Sequence, residues 1–188
     1  MSGHDRRPAR GFSLIELLMA CAVAAVLLSL AGGSLQRALQ VRALAAQTSE
    51  LAQALRFAAS EAFKRAEFVT LCARGGTADA PQCAGSASSG WQSGWIVFVD
   101  RGERAVVEPG DQILRLHEPL EHSGGVEGTL RAITFGANGI SVNAASHFLF
   151  RPVGVAPGPA QDALSQLVCV AKPGRPRILA LGVVACAA

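Results

Sequence analysis

Hydrophobic positions fall into three regimes along the chain. Residues 12–33 are an almost unbroken apolar run in which Glu16 is the only charge. As an α-helix at ~1.5 Å per residue this run reaches roughly 33 Å, enough to cross a bilayer core of about 30 Å. Residues 35–66 contain neither Pro nor Gly and are rich in Ala, Leu, Gln and Arg, so the helix is expected to continue. Within it Leu44, Leu51, Leu55, Ala58, Ala62 and Phe63 recur at three-, four- and seven-residue spacing and predict one apolar face. Beyond Ala66 the pattern becomes short β-branched or alternating runs, at 68–72, 95–99, 112–116, 130–135, 140–143, 148–150, 167–171 and 178–181, which read as strands. Residues 75–90 and 154–159 are Gly/Ser/Pro-rich and read as loops. A helix followed only by strands predicts an α+β class, with the long N-terminal helix packed on antiparallel β-sheet.

Composition narrows the partners. Half of the 188 residues are hydrophobic, which excludes disorder over the whole length. Lys and Arg number 17 against 14 Asp and Glu, a surplus too small for a molecule-wide polyanion binder. Any such site must be local. Arg6, Arg7 and Arg10 precede the apolar run with only Asp5 against them, which predicts a cytoplasmic N-terminus and an exported remainder. A cleaved secretory signal usually has an apolar core of about 7–15 residues, whereas this run continues directly into a helix-forming segment. Glu16 within it would cost about 3 kcal/mol unpaired, and cleavage before Phe12 would create a partner, a new α-ammonium.

Cysteines and basic residues mark the exported part. Cys21 lies in the apolar run, whereas Cys72, Cys83, Cys169 and Cys186 form an even set beyond it. Four cysteines allow three pairings. The sequential one is expected, Cys72 with Cys83 across a polar loop and Cys169 with Cys186 across the last strands. Some of them staying reduced is the alternative, and zinc is weaker still without a Cys-x-x-Cys spacing. From residue 128 onward there are five cations, Arg131, Arg151, Lys172, Arg175 and Arg177, against one acid, Asp162, whereas residues 100–127 hold seven acids. Gly174-Arg175-Pro176-Arg177 reads as a turn between two strands, from which Lys172, Arg175 and Arg177 can project; guanidinium forks suit phosphate oxygens. With no Tyr and few aromatics near the turn, any nucleic acid bound there would be held through its backbone and independently of base sequence. His117 and His122 flank Pro119, which denies them a helical metal-binding face, and no nucleophile elbow, phosphate loop or His-Glu-x-x-His motif occurs. No enzyme activity, cofactor, metal or small-molecule substrate is expected.

Gly11-Phe12-Ser13-Leu14-Ile15-Glu16 resembles the leader junction of type IV pilin-like proteins. Leu71-Cys72, Trp91-x-x-Gly94-Trp95-Ile96-Val97-Phe98-Val99-Asp100 and Gly174-Arg175-Pro176-Arg177 are similar to the FimT/GspH branch of that family. The resemblance implies a prepilin leader at 1–11, removed after Gly11 by a prepilin peptidase that also N-methylates Phe12. It implies a transmembrane or filament-core helix at 12–34, its amphipathic half at 35–66 and an exported β-rich domain at 67–188. Glu16 would neutralise the Phe12 ammonium of a neighbouring subunit during assembly. Ser13 stands where Thr is commoner. The implied location is the bacterial inner membrane, single-pass, with a periplasmic C-terminal domain, and then a pilus whose other pilins are the partners. In FimT-like minor pilins the Gly-Arg-x-Arg tract is associated with DNA binding in natural transformation, a role that carries over to Arg175 and Arg177. A GspH-like pseudopilin of a type II secretion system is the alternative. The Trp91-to-Val99 run itself reads as core, with Trp95, Val97 and Val99 facing one way and Ile96 and Phe98 the other.

Overall fold

The computed structural model describes residues 13–77, 79–85, 90–121, 123–143 and 145–186, with backbone alone at 27–34. Gly11 and Phe12, the expected cleavage junction, and His122 lie outside the described residues. Helix α1 spans Leu14–Arg65. The described residues up to Leu39 make one compact unit and the remainder, from Gln40, a second.

In the first unit Ser13 immediately precedes the helix, its carbonyl accepting the Glu16 and Leu17 amides at 3.0 and 3.2 Å. Ser13-x-x-Glu16 thus has the spacing of a capping box, and the carboxylate sits in the first turn where the helix dipole favours it. Among the described residues no helix is long and apolar enough to cross a membrane. The side chains at 27–34, on which the predicted span draws, are outside them.

In the second unit α1 presents Leu44, Leu51, Leu55, Ala58 and Ala62, all fully buried, to the core. Phe63 does not belong to that face and is 70% exposed, since one residue past Ala62 turns its side chain ~100° around the helix. The helix ends where Ala66 takes a left-handed conformation, φ 55°.

Among the described residues nine strands follow: β1 Val69–Gly76, β2 Pro81–Cys83, β3 Trp95–Val99, β4 Gln112–Leu116, β5 Ser123–Gly128, β6 Ala132–Phe135, β7 Ser146–Pro152, β8 Gln166–Val170 and β9 Pro176–Ile178. They form two antiparallel sheets. In the first, β1 pairs with β2, β3 and β6, and β3 continues to β4; the second has the order β5-β7-β8-β9. Both sheets contribute to one core with α1: Val69, Leu71, Trp95, Val97, Ile133 and Phe135 from the first, Phe148, Phe150, Val168 and Val170 from the second. A smaller cluster of Cys72, Ile96, Phe98, Ala105 and Ala132 covers the other face of the first sheet. Strand β3 lies between β1 and β4 and is buried throughout, with Trp95 and Val97 in one cluster and Ile96 and Phe98 in the other, as its alternation predicts.

Trp91, in a 3-10 turn at Trp91–Ser93, joins the two sheets. Its indole Nε1 donates to the Leu130 carbonyl at 2.9 Å, and its ring meets Phe148 edge-on at 4.6 Å. Gly128 is required beside it, because a Cβ there would lie 2.6 Å from the indole nitrogen.

Several expectations are corrected. Residues 140–143 form no strand; only an isolated bridge links Phe135 and Ser141. There the Asn138 and Asn143 side-chain carbonyls accept the Ile140 and Thr134 amides, beside two backbone bonds, Val142 N to Thr134 O and Gly136 N to Ile140 O. The Gly-rich segment 123–128 is a strand, held by its register with β7 rather than by its own propensity. The expected loop at 75–90 contains β2, and a short helix α2, Pro159–Asp162, starts where the second expected loop ends.

Candidate nucleic-acid interface

The basic tract lies in the β8–β9 hairpin. Val170 pairs with Pro176, Cys169 with Arg177 and Val168 with Ile178. β9 is an edge strand, and Pro176 is its first residue, where the missing N–H costs no ladder bond. The ladder continues into the connection: the Ala171 amide donates to Arg175 O at 3.2 Å, and the Gly174 amide closes a turn on Ala171 O at 2.7 Å.

That connection is fastened to the first sheet. Ser141 donates its amide to Pro173 O at 3.2 Å. Gly174 adopts φ +89° and packs so closely that a Cβ would stand 2.4 Å from Phe135 Cε1 and 2.9 Å from Ser141 Cβ. The tip therefore presents its cations from an anchored backbone.

Charge pairing sets these cations apart from Arg151. Arg151 is held by Glu127 at 3.0 Å and Asp162 at 3.1 Å. The Glu127 hydrogen bond, followed by Asp162, pushes the Arg151 pKa up, so its charge is fixed and locally neutralised. Arg131 reaches the Ala105 carbonyl at 3.5 Å. Lys172, Arg175 and Arg177 are all exposed, and among the described residues none has a hydrogen-bond or acidic partner. The acids of 100–127 are largely engaged elsewhere: Asp100 with Arg104, Glu118 with Arg74, and Glu127 with Arg151. Three uncompensated positive charges at one tip can engage a row of phosphates.

The remaining candidates lie apart. Glu16 is exposed in the first unit. Both sequential disulfides are formed, Cys72–Cys83 across β1 and β2 and Cys169–Cys186 between β8 and the C-terminal tail. Closing 17 residues, the second is expected to contribute about 3 kcal/mol. Chemical denaturation of Cys169→Ser/Cys186→Ser should show that loss, with the hairpin retained. His117 stacks on Trp95 at 3.8 Å, with Nε2 3.2 Å from Glu50, and serves the packing of α1. The sequence did not single out His147, which β7 and β8 place opposite Cys169 and hence in one cross-strand row with Arg177. Only strand register carries that signal.

A long N-terminal helix packed on curled antiparallel sheet defines a type IV pilin-like protein. Two crystal forms of the type IV minor pilin FimU from Pseudomonas aeruginosa (strain PAO1) share the fold, with TM-scores of 0.55 and 0.53 at 18% identity. The similarity covers 74% of this chain and 90% and 95% of theirs. The prokaryotic N-terminal methylation motif matches residues 6–32, and the type II transport protein GspH family matches residues 47–174. The chain belongs to the GspH family, whose members are structural pilins or pseudopilins rather than enzymes. The GspH match includes Lys172 and stops one residue before Arg175. No curated protein matches the chain.

Proposed function

We propose that this protein is a minor type IV pilin that captures DNA during natural transformation through Lys172, Arg175 and Arg177. The observation that carries the reading is the unpartnered state of these three cations on a tip tied to the first sheet, while Arg151, at the far end of β7, is neutralised. With phosphates as the ligands, binding is independent of base sequence along a duplex. Three contacts predict that log affinity falls with log salt at a slope of about −2.7, and that Arg175→Ala/Arg177→Ala brings the slope to about −0.9. Titrating the full chain in detergent with duplex DNA at several salt concentrations measures both. An unchanged slope in the double variant would remove the site. Weak binding by one subunit is compensated by several subunits along one filament.

Residues 1–11 are the prepilin leader in this reading. A prepilin peptidase cuts after Gly11 and methylates Phe12, and the apolar helix anchors the chain in the inner membrane until it joins other pilins. The methylation-motif match at 6–32 supports this part. Glu16 then pairs with the Phe12 ammonium of a neighbour. Glu16→Ala is expected to abolish incorporation into filaments, while membrane levels and leader removal stay normal; immunoblots of sheared filaments and whole membranes separate the two. The GspH match favours a second reading, a pseudopilin of a type II secretion system, in which the same Glu16 variant blocks protein secretion and the arginine pair has no effect on DNA uptake.

A further inference from the structure

A groove of about 300 Å³ opens beside the basic tip, lined by Thr129, Ala145, His147, Ala171, Arg177 and the Cys169–Cys186 disulfide. Its make-up differs from that of the tip. His147, Cys169 and Arg177 lie directly opposite one another on β7, β8 and β9, so their side chains share one face. Thr129 joins the end of that row: its amide donates to His147 O at 3.2 Å, and its hydroxyl oxygen accepts the His147 amide at 3.0 Å. Between Arg177 and the His147 imidazole the floor is small and apolar.

We propose that this groove receives one unpaired nucleotide of a DNA strand, with the base against the His147 ring and the apolar floor and its phosphate on Arg177. The inference rests on the DNA-binding reading of the basic tip and adds a preference to it, for single-stranded over duplex DNA. The volume, at the lower end of small-ligand pockets, accommodates one nucleotide and excludes paired strands. An imidazole is a flat π surface on which a base stacks without regard to its identity. Arg177 lies at the groove while Arg175 and Lys172 continue along the tip, so a strand with one base seated keeps its neighbouring phosphates on the same cations. A duplex has its bases turned inward and can use only those cations. Backbone-only binding, expected from the lack of aromatics near the turn in sequence, thus holds for the duplex alone.

The test is fluorescence-anisotropy titration of the full chain in detergent with an oligothymidine strand and with a blunt duplex of equal length. The unsubstituted chain should bind the single strand about fivefold or more tighter, the lower end of what one base stack contributes. His147→Ala should erase that preference and leave duplex affinity unchanged. Ala145→Leu, which fills the groove from an exposed position with neither a charge nor an aromatic face, should do the same. Equal affinity for both DNAs in the unsubstituted chain, or a preference that survives both substitutions, would overturn the proposal. Loss of both affinities in proportion on His147→Ala would also overturn it, by making His147 a support for the tip. Failure of the underlying reading looks different: Arg175→Ala/Arg177→Ala would then leave duplex affinity unchanged.

Discussion

Trp91→Ala is expected to lower the stability of the second unit by about 3–5 kcal/mol, the range for truncating a large aromatic in a core. The indole is fully buried, meets Phe148 of the second sheet edge-on, and is packed against Gly128 at the end of β5. Its removal opens a cavity where the two sheets are joined, and the backbone around a glycine cannot fill it with a side chain. It also leaves the Leu130 carbonyl without its 2.9 Å donor, which adds to the cost if water does not replace it. Trp91→Phe keeps most of the volume and loses the hydrogen bond, so its cost should be well under half of that for alanine. Chemical denaturation of both variants, followed by the near-ultraviolet signal of Trp95, measures the difference. Equal costs would mean that the hydrogen bond rather than the packing dominates.

Gly174→Val is expected to destabilise by about 3 kcal/mol and to weaken DNA binding as much as removal of both arginines, although every charge is retained. A β-branched residue at φ +89° is strained by about 1–2 kcal/mol, and overpacking adds about 1–3 kcal/mol. The added Cβ meets Phe135 Cε1 at 2.4 Å and Ser141 Cβ at 2.9 Å, so the connection must lift from the first sheet. The Ser141–Pro173 hydrogen bond is then lost, and Lys172, Arg175 and Arg177 are no longer held together. Retained DNA affinity in a folded Gly174→Val protein would show that the anchoring of the tip is irrelevant to its use.

How far the residues announce this arrangement differs from element to element. The apolar face of α1 is plain in the spacing of Leu44, Leu51, Leu55, Ala58 and Ala62, because burial on one side of a helix writes a period into the sequence. Strand β3 is equally plain, since both of its faces are covered and all five residues are apolar. Strand β5 leaves no such trace: Ser123–Gly128 has three glycines and forms only because β7 supplies the partner. Residues 140–143 mislead in the opposite direction, with β-branched Ile140 and Val142 at exposed positions of an asparagine-fastened turn. The turn at the basic tip is legible from Gly174, but Pro176 and Arg177, read as part of that turn before a strand at 178–181, already belong to β9, which ends at Ile178. That the tip's cations are free is not legible, because the neutralisation of Arg151 by Glu127 and Asp162 depends on contacts across 24 and 11 residues of sequence. Nor is the groove, whose His147 and Arg177 meet only through the register of three strands.

DNA uptake by cells whose chromosomal copy carries Arg175→Ala/Arg177→Ala, scored alongside the abundance of the variant in sheared pili, tests the central claim most directly. The double variant should assemble into filaments at the normal level and lose most of its DNA uptake, because the two side chains are exposed and make no contact on which the fold depends. Normal uptake by cells bearing normally assembled variant pili would contradict the account.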